Sequence, residues 1–217
     1  MNGIENIVEY GEGLWQQARE IWLAGDWAMV AIAAVALLMF GLGMHVLLGL
    51  RRKDFLAVPE AYWRRWIDHP EERRGHTGHL LDEVAGAHSL EEAAARFEAL
   101  RAGETAPVER YLKVMKICVG AAPLLGLLGT VTGMLATFGA LATGAGGGDE
   151  AGGVMASGIS EALITTETGL VIALPGLFFH HQLARMHERY RTFLAHLETV
   201  CTQHVYRRLH GRLTPSD

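Results

Sequence analysis

Two long apolar runs decide what this chain can become. Trp27–Leu50 holds a single ionisable side chain, His45, and Ile117–Leu141 holds none beyond the Cys118 thiol. A hydrocarbon core about 30 Å thick is crossed by roughly 20 helical residues at about 1.5 Å each. Backbone amides inside lipid have no water to bond, so a run of this kind spans as a helix. Both are read as transmembrane helices. A third apolar block, Leu170–Phe179, is too short to cross alone. If it crosses, its helix begins near Ile159 and carries Glu161, Thr165, Thr166, Glu167 and Thr168 into the membrane region. A short buried or re-entrant segment is the alternative. Two spans and a third hydrophobic block in so small a chain favour three crossings.

The flanking charges orient the spans. Arg51, Arg52 and Lys53 close the first, Lys113 and Lys116 open the second, and Arg185, Arg189 and Arg191 follow the third. Between the second and third the only charges are Asp149 and Glu150. Lys and Arg collect on the cytoplasmic side, which places the N-terminus outside and the C-terminus inside. The expected plan is a periplasmic amphipathic segment 1–26, span 27–50, a cytoplasmic helical domain 51–116 and span 117–141. A Gly-rich periplasmic loop 142–158, span 159–181 and a cytoplasmic helix and tail 182–217 complete it. Residues 1–26 carry five acids against Arg19, the reverse of a basic signal-peptide start, so the first span is expected to persist in the mature protein.

Composition closes off several function classes. The net charge is −5, and basic and acidic residues balance within 51–116, which leaves no basic field for nucleic acid. Cys118 and Cys201 suggest neither a disulfide nor a metal pattern. His180, His181, His187, His196 and His204 form no HExxH or Cys/His cluster and are read as interface or surface residues. No phosphate-binding loop or Ser/His/Asp arrangement is present, so no enzyme, cofactor or metal is expected.

Local signals outside the spans are helical. Residues 4–23 place Ile7, Trp15, Ile21 and Trp22 at near-helical intervals, as a helix lying at the headgroups would. Ser89 with Glu92 three residues on is a capping box, and a helix is expected over Leu90–Leu100. Gly103 is a candidate break, and Pro107 can open the next helix. Leu183, Met186, Tyr190, Leu194, Leu197 and Val200 recur every three or four residues. They predict an amphipathic helix that packs on the 90–116 region or on other subunits.

The spans themselves carry the chemistry. Gly126, Gly129 and Gly133 let helices approach closely, with Gly129-x-x-x-Gly133 the small-residue packing motif. Thr130 and Thr137, seven residues apart, put hydroxyls on one face; the alternative is that they only bond preceding backbone carbonyls. Glu161, Thr165 and Thr168 share a face of the third span, whereas Glu167 lies about 240° from Glu161. Pro175 is expected to kink the helix or mark a contact. A carboxylate inside a membrane is expensive and is by default a functional-site hypothesis, most simply an ion or proton relay. Glu161, Glu167 and the threonines Thr130, Thr137, Thr165 and Thr166 are the candidate pathway. One span is too little wall to enclose a path, so further copies or partner helices must complete it.

At these residues the sequence resembles the MotA, TolQ and ExbB family of proton-motive-force motor subunits. The resemblance rests on Ala122-Pro-Leu-Leu-Gly-Leu-Leu-Gly-Thr-Val-Thr-Gly-Met134 and on Gly158-Ile-Ser-Glu-Ala-Leu-Ile-Thr-Thr-Glu-Thr-Gly-Leu-Val-Ile-Ala-Leu-Pro175. It implies an all-α membrane protein of three transmembrane helices with long cytoplasmic helical extensions, assembled as a pentameric ring in the bacterial inner membrane among its lipids. It further implies an ExbD-like single-span partner carrying a transmembrane Asp, and a TonB-like protein that relays energy to outer-membrane import. A TolQ-like role in the Tol-Pal envelope system uses almost the same core, and a non-conducting scaffold is the alternative of another class. The family's third-span Glu falls on Glu161, its following Thr on Thr166 and its second-span Thr on Thr130. Glu167 departs from the pattern, since close ExbB relatives commonly have a small or apolar residue there. A second proton site and a pairing with a partner helix both stand open for it.

Overall fold

A computed structural model describes residues 27–53, 59–85, 87, 89–143 and 151–211. The expected N-terminal amphipathic helix with Trp15 and Trp22, residues 144–150 of the Gly-rich loop with Asp149 and Glu150, and the last six residues lie outside the described residues. In chain order the elements are α1 (Trp27–Arg52), α2 (Glu60–Asp68), a short 3-10 turn (Pro70–Glu72), α3 (Gly75–Ala85), α4 (Leu90–Ala142) and α5 (Ala151–Gly211). Among the described residues there is no strand.

Helices α1, α4 and α5 are each long and apolar enough to cross a membrane, and the chain is an all-α, multi-pass membrane protein. Arg51 and Arg52 in the last turn of α1 complement its dipole. Ser89 caps α4: its Oγ accepts from the Glu92 amide at 3.0 Å, and Glu91 and Glu92 occupy the first turn.

Two sequence expectations are corrected. The helix that begins at Leu90 does not stop near Gly103 or restart at Pro107; α4 runs through both as a single helix of 53 residues. A proline ring crowds the carbonyl four residues earlier, which here is Gly103, and no side chain or other helix lies within 4 Å of the position a Cβ would take there. The third membrane helix starts at Ala151 and not near Ile159. Gly152 and Gly153 weaken the local helix signal, yet the turn they belong to leads directly into the membrane segment. Pro175 lies inside α5, which continues past it.

The chain divides into two units. One joins the residues up to Phe40 with Met115–Phe178. Its inward side chains are small or flexible: Ala28, Met29, Ile32 and Met39 from α1, Cys118 and Ala122 from α4, and Ala162, Thr165 and Ala173 from α5. Its outward face carries Val30, Leu37, Leu124, Leu135, Leu163, Val171 and Phe178. Such a surface suits lipid or other helices and not water.

The other unit joins Gly41–Val114 with Phe179 onward. Trp63, Phe97, Leu100, Leu183, Tyr190, Leu194 and Leu197 form its core, in keeping with the apolar periodicity of the last helix. The α2 helix lies parallel to α5, with Glu60 3.1 Å from His196 and Asp68 2.9 Å from His204. Trp63 packs edge-on to Phe193 and His196 between these pairs. Deeper in, Glu104 Oε2 accepts from Lys53 Nζ and, at 2.8 Å, from the Tyr190 hydroxyl, with His76 Nε2 at 3.5 Å. Lys53 Nζ also stands 4.3 Å above the Tyr190 ring. One carboxylate thus ties together the end of α1, α3, α4 and α5. Its pKa falls to about 2 because His76, Lys53 and Tyr190 stabilise the charge, against the opposing effect of burial.

Candidate functional site

Glycine fixes the spacing between α4 and α5. A Cβ on Gly126 would stand 2.9 Å from the Thr165 carbonyl oxygen and 3.0 Å from Thr166 Cα, and one on Gly129 would stand 2.7 Å from Thr165 Oγ1. A Cβ on Gly133 would lie 3.2 Å from Ala162 Cβ, and one on Gly169 would meet the Ala122 carbonyl oxygen at 2.7 Å. As the α4 number rises its α5 partner's number falls, so the two helices run antiparallel. Helix α1 closes on the same seam, with Ala28 beside Gly129 and Met39 beside Gly176. Close backbone approach gains dispersion contact where lipid provides no hydrophobic drive.

Gly126, Gly129 and Gly133 therefore sit at helix contacts. Two further close-approach glycines lie on α5 and were not picked out from the sequence: Gly169, against Ala122 and Gly126, and Gly158, against Thr137. The signal was there: Gly158, Ala162, Thr165 and Gly169 recur at four, three and four residues. Pro175 is exposed, and the neighbouring Gly176 makes the contact with Met39.

The seam brings threonines from both helices together. Thr165 is buried and Thr166 half-buried. Thr166 Oγ1 donates across the seam to the Gly126 carbonyl at 3.0 Å and lies 3.5 Å from Thr130 Oγ1. Thr130 donates to the Leu127 carbonyl at 2.6 Å, Thr137 to Gly133 at 2.9 Å, Thr165 to Ala162 at 2.7 Å and Thr168 to Ile164 at 2.8 Å. Bonding of Thr130 and Thr137 to preceding carbonyls is thus observed. It does not make the oxygens inert: a hydroxyl has one proton and two lone pairs. With the proton given to a carbonyl, each oxygen still accepts from water or hydronium, or holds a cation.

The carboxylates take different places. Glu161 is half-buried, one turn before Thr165 at the edge of the seam. Glu167 is exposed, on the far side of α5. Among the described residues neither forms a hydrogen bond or ion pair. The structure brings Thr130 to Thr166 and both to the seam; it leaves Thr137 nearer the start of α5, against Gly158. Neither carboxylate bonds these threonines.

Comparison with known proteins places the chain in a family. A model of the MotA/TolQ/ExbB proton channel family matches residues 71–195, more than half of the chain. The chain is 40% identical over 98 residues to the biopolymer transport protein named ExbB-like 1 of Synechocystis sp., covering 45% of this chain and 39% of that protein. It is 34% identical over 105 residues to ExbB-like 3 of the same organism, covering 48% and 49% of the two chains. An ExbB homolog of Methanothermobacter thermautotrophicus is 44% identical over 71 residues, covering 33% and 24%. In each case the match spans less than half of the relative's length.

Proposed function

The chain belongs to the MotA/TolQ/ExbB proton channel family, and on that premise we propose that it is an ExbB-like subunit that converts the proton motive force into mechanical work. Copies of the chain form a ring, a pentamer in this reading, in the bacterial inner membrane. The N-terminus is periplasmic, the C-terminus cytoplasmic, and the spans are 27–50, 117–141 and 159–181. The ring works with an ExbD-like single-span subunit carrying a membrane Asp, and a TonB-like protein passes the work on to outer-membrane import. The relatives with ExbB names support this over a TolQ-like role.

One observation carries the reading: a half-buried carboxylate, Glu161, without a partner among the described residues, on the same helix five residues before Thr166, whose hydroxyl oxygen meets that of Thr130 on the facing helix. Such a group exchanges protons and the oxygens beside it pass them on through water. Thr165 and Gly126 hold the wall, Thr137 lies toward its outer end, and Glu167 modulates. The source of work is the gradient, about 2.3 kcal/mol per charge for each 100 mV.

The test is partner-dependent transport in Glu161→Gln, with assembly checked in parallel. Assembly retained with transport abolished is expected. Transport at the wild-type level would leave a non-conducting scaffold as the better account. Thr130→Val and Thr166→Val should each lower transport about tenfold or more, the lower range of a lost proton-transfer group.

A further inference from the structure

The far end of α5 helps wall a cavity that no part of the proposed motor uses. Cys201, His204, Val205 and Arg208 are spaced as one face of a helix, and that face of α5 lines it. Ile67 at the end of α2 and Leu81 and Val84 on α3 line it as well. Its volume is about 690 Å³, within the roughly 300–1,000 Å³ of sites that bury a small molecule. All of these walls belong to the unit built on Trp63 and Tyr190.

The floor and the rim differ in kind. Leu81, Val84 and Cys201 are buried, and with Ile67 they offer aliphatic carbon and one thiol. No Phe, Tyr or Trp is among the described residues that line the cavity, which leaves a flat aromatic ligand little to stack on. Three arginines line it, Arg73, Arg207 and Arg208, against a single acid, Asp68, which pairs with His204 at 2.9 Å. Arg73 pairs with Asp82 at 2.7 Å. Arg207 and Arg208 are exposed and have no ion pair among the described residues. Cations near a helix C-terminus are favoured by its dipole, which accounts for their sign but not for the cavity they share. Two adjacent unpaired guanidiniums, in a chain of net charge −5, suit a carboxylate or phosphate, whose oxygens match their planar fork.

We propose that this cavity binds a small anionic amphiphile, a carboxylate or phosphate on an aliphatic body, with the head at Arg207 and Arg208 and the body against Leu81, Val84 and Cys201. Burial of the aliphatic body supplies affinity, and the arginines select the head. In the proposed topology α5 leaves the membrane near His181, and Cys201 follows about 30 Å further along the helix. A lipid seated in the bilayer does not reach so far, so the ligand arrives from solution.

Equilibrium dialysis of octanoate and of octyl phosphate against the full chain in lipid discs, with uptake by empty discs subtracted, provides the test. Wild type should bind at least one of them at a saturable site, the tighter of the two naming the head. Octanol, with the same body and no charge, should bind about tenfold more weakly. Joint replacement Arg207→Gln and Arg208→Gln should weaken binding about tenfold at an unchanged thermal midpoint, and Val84→Trp, which fills the floor, should abolish it. Equal binding by wild type and the arginine variant, or of charged and uncharged probes, would overturn the proposal in favour of partition onto an apolar surface. Absence of saturable binding in wild type, with binding gained when residues 212–217 are deleted, would overturn it in favour of the chain's own last residues as occupant. Absence in both would overturn it in favour of a solvated cleft. None of these outcomes bears on the transport test of Glu161→Gln.

Discussion

Removing the Glu104 charge should loosen the unit built on Trp63 and Tyr190 by an amount that depends on pH in a defined way. The carboxyl falls from an ordinary 4.5 to about 2 through His76, Lys53 and Tyr190, acting against burial. At about 1.4 kcal/mol per decade of proton affinity, that bounds the charged form's advantage near ~3 kcal/mol. A quarter of the side chain is wetted, and solvent screening reduces the expected loss in Glu104→Gln to about 2 kcal/mol. For a chain of this size that is roughly 4–8 °C in thermal midpoint. The folded-state pKa is depressed, so the contribution is complete above pH 4.5 and disappears as pH falls toward 2. Tyr190 is pushed upward by burial and by Glu104, so its phenol keeps donating throughout. Thermal unfolding of wild type and Glu104→Gln in detergent, followed by circular dichroism from pH 7 to 2.5, should show a gap that closes below pH 4.5. A gap of constant size, or none at pH 7, would refute the assignment of this stability to the carboxylate.

Three further outcomes follow from the same geometry. Gly126→Ala drives a methyl into the Thr165 and Thr166 backbone and should destabilise by about 1–3 kcal/mol, whereas Gly41→Ala, with nothing within 4 Å, should be neutral or better; thermal midpoints in detergent separate the two. His187 is buried with both ring nitrogens unbonded among the described residues, Glu109 standing 3.7 Å away. Burial lowers its pKa, and His187→Leu should raise stability by about 1 kcal/mol; a loss in the same melt would reveal a polar partner. Cys201 lines a cavity of about 690 Å³ with Leu81 and Val84, and burial pushes its thiol up to about 12. The thiol is held protonated at pH 8, so iodoacetamide should spare Cys201 until the chain unfolds, and prompt labelling of the folded protein would contradict that.

The three membrane-crossing helices were legible because lipid makes hydropathy decisive: the runs around Val35 and Leu128 admit hardly any other structure. Ser89 and Glu92 announced the start of α4 through a local bond that needs no tertiary context. Helix continuity through Gly103 and Pro107 was not legible. Their local penalties, about 1 and 3 kcal/mol, are read directly from sequence, while the packing of Leu100 and Leu112 that offsets them is not. The seam was half legible, since Gly129 and Gly133 stand out on α4, but the register that sets Thr166 against Gly126 spans 40 residues. The Lys53, His76, Glu104 and Tyr190 cluster escaped for the same reason. Lys53 follows the end of α1 and the others stand on α3, α4 and α5, with Glu104 51 residues from Lys53 and His76 114 from Tyr190, and none breaks a pattern where it stands.

The direction of the threonine protons has a consequence for what can travel. In the proposed pathway, oxygens that have surrendered their hydrogens to backbone carbonyls turn only electron pairs toward whatever passes beside Thr130 and Thr166. An anion meets repulsion there, and water molecules must line up with their hydrogens outward. On the proposed reading, the lining thus sets the sign of the cargo.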